Sequence, residues 1–135
     1  MRIVLDTNSL IRCIPRHSRH HAVWLSFVDG RNTLCITNEI IEEYTEILQR
    51  LTDIETAELV ISTIINSKFT EFVTPYYHFE LISADKDDNK FVDCAIIARA
   101  KFIVTDDRHF DVLKQNPYPK VDVISLDNFL KYISN

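Results

Sequence analysis

A single glycine, Gly30, occurs in these 135 residues. The dinucleotide fingerprint and the P-loop each need several glycines to bring backbone close to phosphate, so both are excluded. The three cysteines, Cys13, Cys35 and Cys94, are odd in number and far apart, which suggests neither a disulfide framework nor a zinc knuckle. Each is flanked by apolar residues and reads as a buried structural thiol. No apolar run nears the roughly 20 residues of a membrane helix. The opening MRIVLDTNSL reaches an acid at position 6, where a signal peptide would still be apolar. A cytoplasmic protein with no membrane partner is the expectation. Basic residues are in short supply as well, 15 Lys and Arg against 20 Asp and Glu, for a net charge of −5. That balance opposes a phosphate-rich partner unless the acids gather around a bound cation and invert the local field.

What is present is ordinary globular composition, 46% hydrophobic and 26% charged, in a length suited to one domain, residues 1–135. Short β-branched runs alternate with helix-period segments. Strands are predicted over 2–5 (RIVL), 33–36 (TLCI), 71–74 (EFVT), 102–104 (FIV) and 121–124. Helices are predicted from Ser9, over 20–28, after a cap at Thr37 or Asn38, from Asp53, from Asp87 or Asp88 through Ala100, near 110–114, and over 127–133. The segment Asp29-Gly30-Arg31-Asn32 is a turn signal. Continuous apolar strands separated by helices mean a parallel sheet of about five strands covered on both faces, a three-layer α/β/α domain. Ligands of such sheets bind at the carboxyl ends of the strands.

Several acids fall at that edge. Asp6 follows the first strand directly, and Asp107 follows the fourth. Asp88 opens the helix that feeds the fourth strand, and Glu43 lies on the helix after the second. Like charges at short range repel one another, and a hard divalent cation relieves the repulsion. With no Cys or His evident beside these positions, the donors are all oxygen, which selects Mg²⁺ or Mn²⁺ rather than zinc. Such a centre suits attack of a metal-activated water on a phosphodiester.

The strings VLDTNSLI, ITNEIIEEYTEIL and DKDDNKFVDCAIIARAKFIVTDDRHF resemble, in that order, the signature blocks of PIN domains. The branch they resemble most holds toxins of bacterial toxin–antitoxin systems. The resemblance covers nearly the whole chain. It implies a metal-dependent ribonuclease of single-stranded RNA, neutralised by a cognate antitoxin and often a homodimer. It maps the ligand acids onto Asp6, Glu43 (in preference to Glu42), Asp88 and Asp107. It makes Asn8 a residue that supports a ligand or touches substrate, and gives Thr105 the orienting of a water or a ligand carboxylate. Asp93 is a candidate outer ligand. The chain departs from this branch at Asp106, where a glycine is common. A positive-φ turn there would be costly without it.

The segment 12–21, RCIPRHSRHH, reads either as a solvated loop or as an RNA clamp using Arg12, Arg16 and Arg19 on phosphates. Two rival functions use the same fold class. An aspartyl-phosphate phosphotransfer or phosphatase protein would want Asp-x-Asp after the first strand, where this chain has Asp6-Thr7-Asn8. A non-catalytic binding module would have no reason to keep all four acids.

Overall fold

Apolar runs with no polar alternation must be covered on two sides, and the first, second and fourth strands are. A computed structural model describes residues 1–82 and 86–134 of the chain. Five strands, β1 (Arg2–Leu5), β2 (Thr33–Ile36), β3 (Thr70–Phe72), β4 (Phe102–Val104) and β5 (Val123–Ile124), form one sheet in the order β3-β2-β1-β4-β5. Every neighbouring pair is parallel. Ile3, Val4, Leu5, Leu34, Cys35, Ile36, Ile103 and Val104 are buried completely or nearly so.

Between and after the strands run α1 (Thr7–Cys13), α2 (His21–Val28), α3 (Asn38–Leu51), α4 (Ile54–Asn66), α5 (Asn89–Ala98) and α6 (Leu126–Ser134). A 3₁₀ turn (Lys86–Asp88) precedes α5, and a 3₁₀ helix (Arg108–Gln115) links β4 to β5. The result is the expected three-layer α/β architecture around a parallel sheet. Three helices are capped as short polar side chains dictate: Asp6 accepts from Ser9, Thr37 from Ile40 and Asp53 from Thr56.

Some boundaries differ from the sequence expectation, for local reasons. Helix α1 starts at Thr7, earlier than the predicted Ser9, because Asp6 itself is the cap. Helix α5 stops at Ala98 instead of Ala100: Arg99 adopts a left-handed conformation (φ 54°), and its N–H returns to the last turn. The edge strands β3 and β5 are shorter or shifted, since each has a neighbour on one side only. Gly30 is needed twice over. Its φ is 86°, and a Cβ there would sit 2.4 Å from the ring of Phe69.

The strand order reverses beside β1. From there the chain moves out to β2 and β3, then returns to β4 and β5 on the other side. The crevice at the carboxyl ends of β1 and β4 is the switch point where this class of sheet binds ligands.

Candidate metal centre

Asp6 enters that crevice as β1 ends. Its N–H still bonds the Val104 carbonyl at 3.2 Å. Its carboxylate accepts the Ser9 N–H at 2.8 Å and the Thr105 hydroxyl. Burial pushes the Asp6 carboxyl above its ordinary range, the two donors pull it back, and the charge of nearby Asp107 adds to the rise. Thr105, buried just past β4, is the joint of the site. Its hydroxyl donates to Asp6 and accepts the Asp107 N–H at 3.0 Å, so the first and last acids share one oxygen.

Asp107 caps the 3₁₀ helix by accepting the His109 N–H at 2.9 Å. Asp106, in the place of the expected glycine, has no positive φ, so that concern falls away. Its carboxylate accepts the Leu126 N–H at 3.2 Å and pairs with Arg12.

Glu43 is delivered by α3. The next residue, Tyr44, is fully buried and donates its hydroxyl to the Leu5 carbonyl at 2.6 Å, which ties the helix to the end of β1. Glu43 then faces inward, accepting the Thr7 hydroxyl and lying 2.7 Å from Lys90 Nζ of α5. Glu42 is exposed. The pairing of Lys90 with Glu43 was no part of the sequence expectation. It places a cation among the acids and offsets part of their repulsion.

Asp88 stands at the start of α5 but does not cap it with its side chain. It turns instead to the far side of the crevice, where His109 Nδ1 lies 3.4 Å from Asp88 Oδ2 and 3.5 Å from Asp107 Oδ1. One donor atom from each of Asp88, Asp107 and His109 falls within 4.8 Å of the others, the single such cluster among the described residues. His109, absent from the expected donor set, thus stands beside two of its acids. The signal was the Asp107-x-His109 spacing, which a 3₁₀ turn folds back on itself.

Asn8 is exposed and shares a cleft of about 390 Å³ with Asp6, Arg12, Asp106 and Asp107. Asp93 lies in a different place. Its carboxylate accepts the Phe79 N–H at 3.1 Å and lies 3.3 Å from His78, lining a groove of about 570 Å³ that also holds Thr37, Asn38 and Lys90. Of the clamp arginines, Arg19 pairs with Asp127 at 2.7 Å, beside His20 at 2.5 Å from the same oxygen, while Arg16 is exposed. The cysteines are buried and free, and burial pushes the Cys13 and Cys35 thiols up to about 12, which leaves them inert.

A profile of the PIN domain matches residues 2–109. The chain belongs to the PIN domain family. No curated protein sequence matches it. Among solved structures, this PIN domain is similar to VapBC2 from Rickettsia felis bound to a DNA fragment from its promoter. The TM-score is 0.64 and the identity 17%, over 93% of this chain and 98% of that one. It is similar also to VapBC-1 from nontypeable Haemophilus influenzae, with a TM-score of 0.63 and 13% identity over 94% and 99% of the two chains. The PIN domain endonuclease Utp24 aligns with a TM-score of 0.54 and 13% identity, over 92% and 84%. At these identities the likeness is one of fold.

Proposed function

We propose that this PIN domain is an endoribonuclease that cuts single-stranded RNA using a divalent cation, Mg²⁺ or Mn²⁺, held by Asp6, Glu43, Asp88 and Asp107. The observation that supports the reading is that the Asp6 carboxylate and the Asp107 backbone N–H meet at the Thr105 hydroxyl on the switch-point edge, with Asp88 and His109 beside Asp107. A cation in such a centre supplies activation of water and offsets charge on the scissile phosphodiester. The protein's part is to fix the carboxylates, with Thr105 and Thr7 holding Asp6 and Glu43, and to present Asn8 to the substrate from the cleft wall. Arg12, which lines the cleft, and the exposed Arg16 and Arg19 would meet the RNA backbone, giving an acidic chain the phosphate contacts its net charge does not.

The toxin role, with a cognate antitoxin and a homodimeric state in the cytoplasm, rests on the sequence resemblance to toxin PIN domains and on the fold shared with the VapBC chains. An aspartyl-phosphate activity gains nothing from family membership, and Asn8 still occupies the position where it needs a second Asp.

The test is cleavage of a labelled single-stranded RNA and its duplex, with Mn²⁺ or with EDTA, alongside Mn²⁺ titration. Internal cuts in the single strand should require the cation. Asp6→Asn should lose both cleavage and most of the Mn²⁺ affinity. Cleavage that persists in EDTA would sink the proposal, and unchanged Mn²⁺ affinity would remove Asp6 from the ligand set.

A further inference from the structure

We infer that His109 is a nitrogen ligand of this centre, and that it makes the centre favour a transition ion such as Mn²⁺ over Mg²⁺. The inference rests on the reading above, that the acids hold a divalent cation, and adds the donor that decides which cation. His109 Nδ1 lies 3.4 Å from Asp88 Oδ2 and 3.5 Å from Asp107 Oδ1. An N–H···O hydrogen bond spans about 2.7–3.2 Å, so both separations are long for that purpose. They suit neighbouring ligands of one ion. With bonds of about 2.1 Å, adjacent donors stand roughly 3.0 Å apart in an octahedron and roughly 3.4 Å apart in a tetrahedron. One ring nitrogen faces two carboxylates from different elements, and all three donor atoms fit within 4.8 Å.

The local chain geometry favours the same role. Asp107 accepts the backbone N–H of His109 at 2.9 Å, which closes the turn that folds the ring back over the acids. The ring is 44% exposed, so packing does not account for its position and the approach from solvent is open. Imidazole nitrogen is a borderline donor that suits Ni²⁺ or Zn²⁺ best, and Mn²⁺ accepts it more readily than Mg²⁺ does. Mg²⁺ prefers oxygen ligands and keeps its waters.

The experiment is pulsed electron paramagnetic resonance on the full chain loaded with Mn²⁺. A directly bound imidazole gives a ¹⁴N hyperfine modulation that carboxylates and water do not. The wild type should show it, and His109→Ala should not. By titration, His109→Ala should lose about tenfold in Mn²⁺ affinity, of the order seen when one supporting group of a metal site is removed. Its Mg²⁺ affinity should move less than about twofold, so the preference narrows. His109→Asp should bind Mn²⁺ without the nitrogen signal and restore Mg²⁺ relative to it. Bound Mn²⁺ with no ¹⁴N coupling in the wild type would overturn the assignment of His109 and leave the carboxylate centre standing. A wild type that binds Mn²⁺ no better than Asp107→Asn would overturn both.

Discussion

The two halves of the acidic centre are built differently. On the inner side, Asp6 and Glu43 are tied to the protein before any ion arrives: Asp6 by Thr105 and Ser9, Glu43 by Thr7 and Lys90. On the outer side, His109 Nδ1 faces Asp88 and Asp107 across gaps of 3.4 and 3.5 Å. Asp6 carries the cost of burial, visible in its raised carboxyl, in return for a fixed position. Of the outer groups, His109 is 44% exposed and Asp107 35%, while Asp88 at 15% is more shielded than Glu43. Under the proposed reading, the inner half would set geometry and the outer half would admit and select the ion.

The comparison breaks most severely at Thr105, whose hydroxyl belongs to both halves. Thr105→Val keeps the shape and removes the oxygen, leaving Asp6 short of one donor and the Asp107 N–H without its acceptor. Loss of such a supporting group should weaken Mn²⁺ binding by roughly 10- to 100-fold. It should also lower stability by about 1–3 kcal/mol, the cost of stranding buried polar groups. Isothermal titration and a denaturant melt measure the two effects. A variant that binds Mn²⁺ as the wild type does would show that Asp6 and Asp107 are positioned independently of that hydroxyl.

A smaller effect, of mixed sign, is expected at Lys90. Its ammonium stands 2.7 Å from Glu43 Oε1, with both side chains largely shielded at 15% and 26% exposure. Lys90→Met removes the charge and keeps most of the packing. Without metal, Glu43 then keeps, among the described residues, the Thr7 hydroxyl, and the acids repel more strongly. The melting temperature should fall by a few degrees, for a loss of about 1–2 kcal/mol. Added Mn²⁺ should restore more than it adds to the wild type, because the ion takes over the neutralising role. If the metal-free variant melts higher instead, Lys90 does not relieve the cluster.

Much of this arrangement was legible in the residues alone. RIVL, TLCI and FIV became strands within the predicted bounds because each is an apolar run buried on two faces. Asp6 and Asp107 were legible because position after a strand in a parallel sheet is itself an address. The edge strands β3 and β5 were less so, since one-sided pairing leaves a weaker pattern. Lys90 was hidden because its partner lies on another helix, 47 positions away in sequence. His109 was hidden by the 3₁₀ turn, which helical or extended periodicity does not anticipate. The missing glycine at Asp106 misled in the other direction. The backbone there needs no positive φ, and the carboxylate serves the start of α6 and the Arg12 guanidinium instead.

Those arginines give the finest test, one that asks whether the outer half extends onto an RNA-binding face. Arg12 and Arg19 already have acidic partners, Asp106 and Asp127, and only Arg16 among the three has none among the described residues. Each phosphate contact on a single strand contributes about 0.7 to the slope of log affinity against log salt. Replacing Arg12, Arg16 and Arg19 with Gln would therefore shallow that slope by about 2 if all three held phosphates outright. Competition from the two aspartates should reduce the change to about 1, with Arg16 supplying most of it. The measurement needs Asp107→Asn as background so that the RNA survives, and Mn²⁺ affinity on an otherwise native chain should not move, because none of the three is a ligand. Asp106→Asn on the same background should have the opposite effect, releasing Arg12 to the backbone and steepening the slope. If neither substitution alters the salt dependence, the basic loop is solvated surface, and the RNA reaches the acids by way of Lys101 and Arg108, the exposed cations that flank β4.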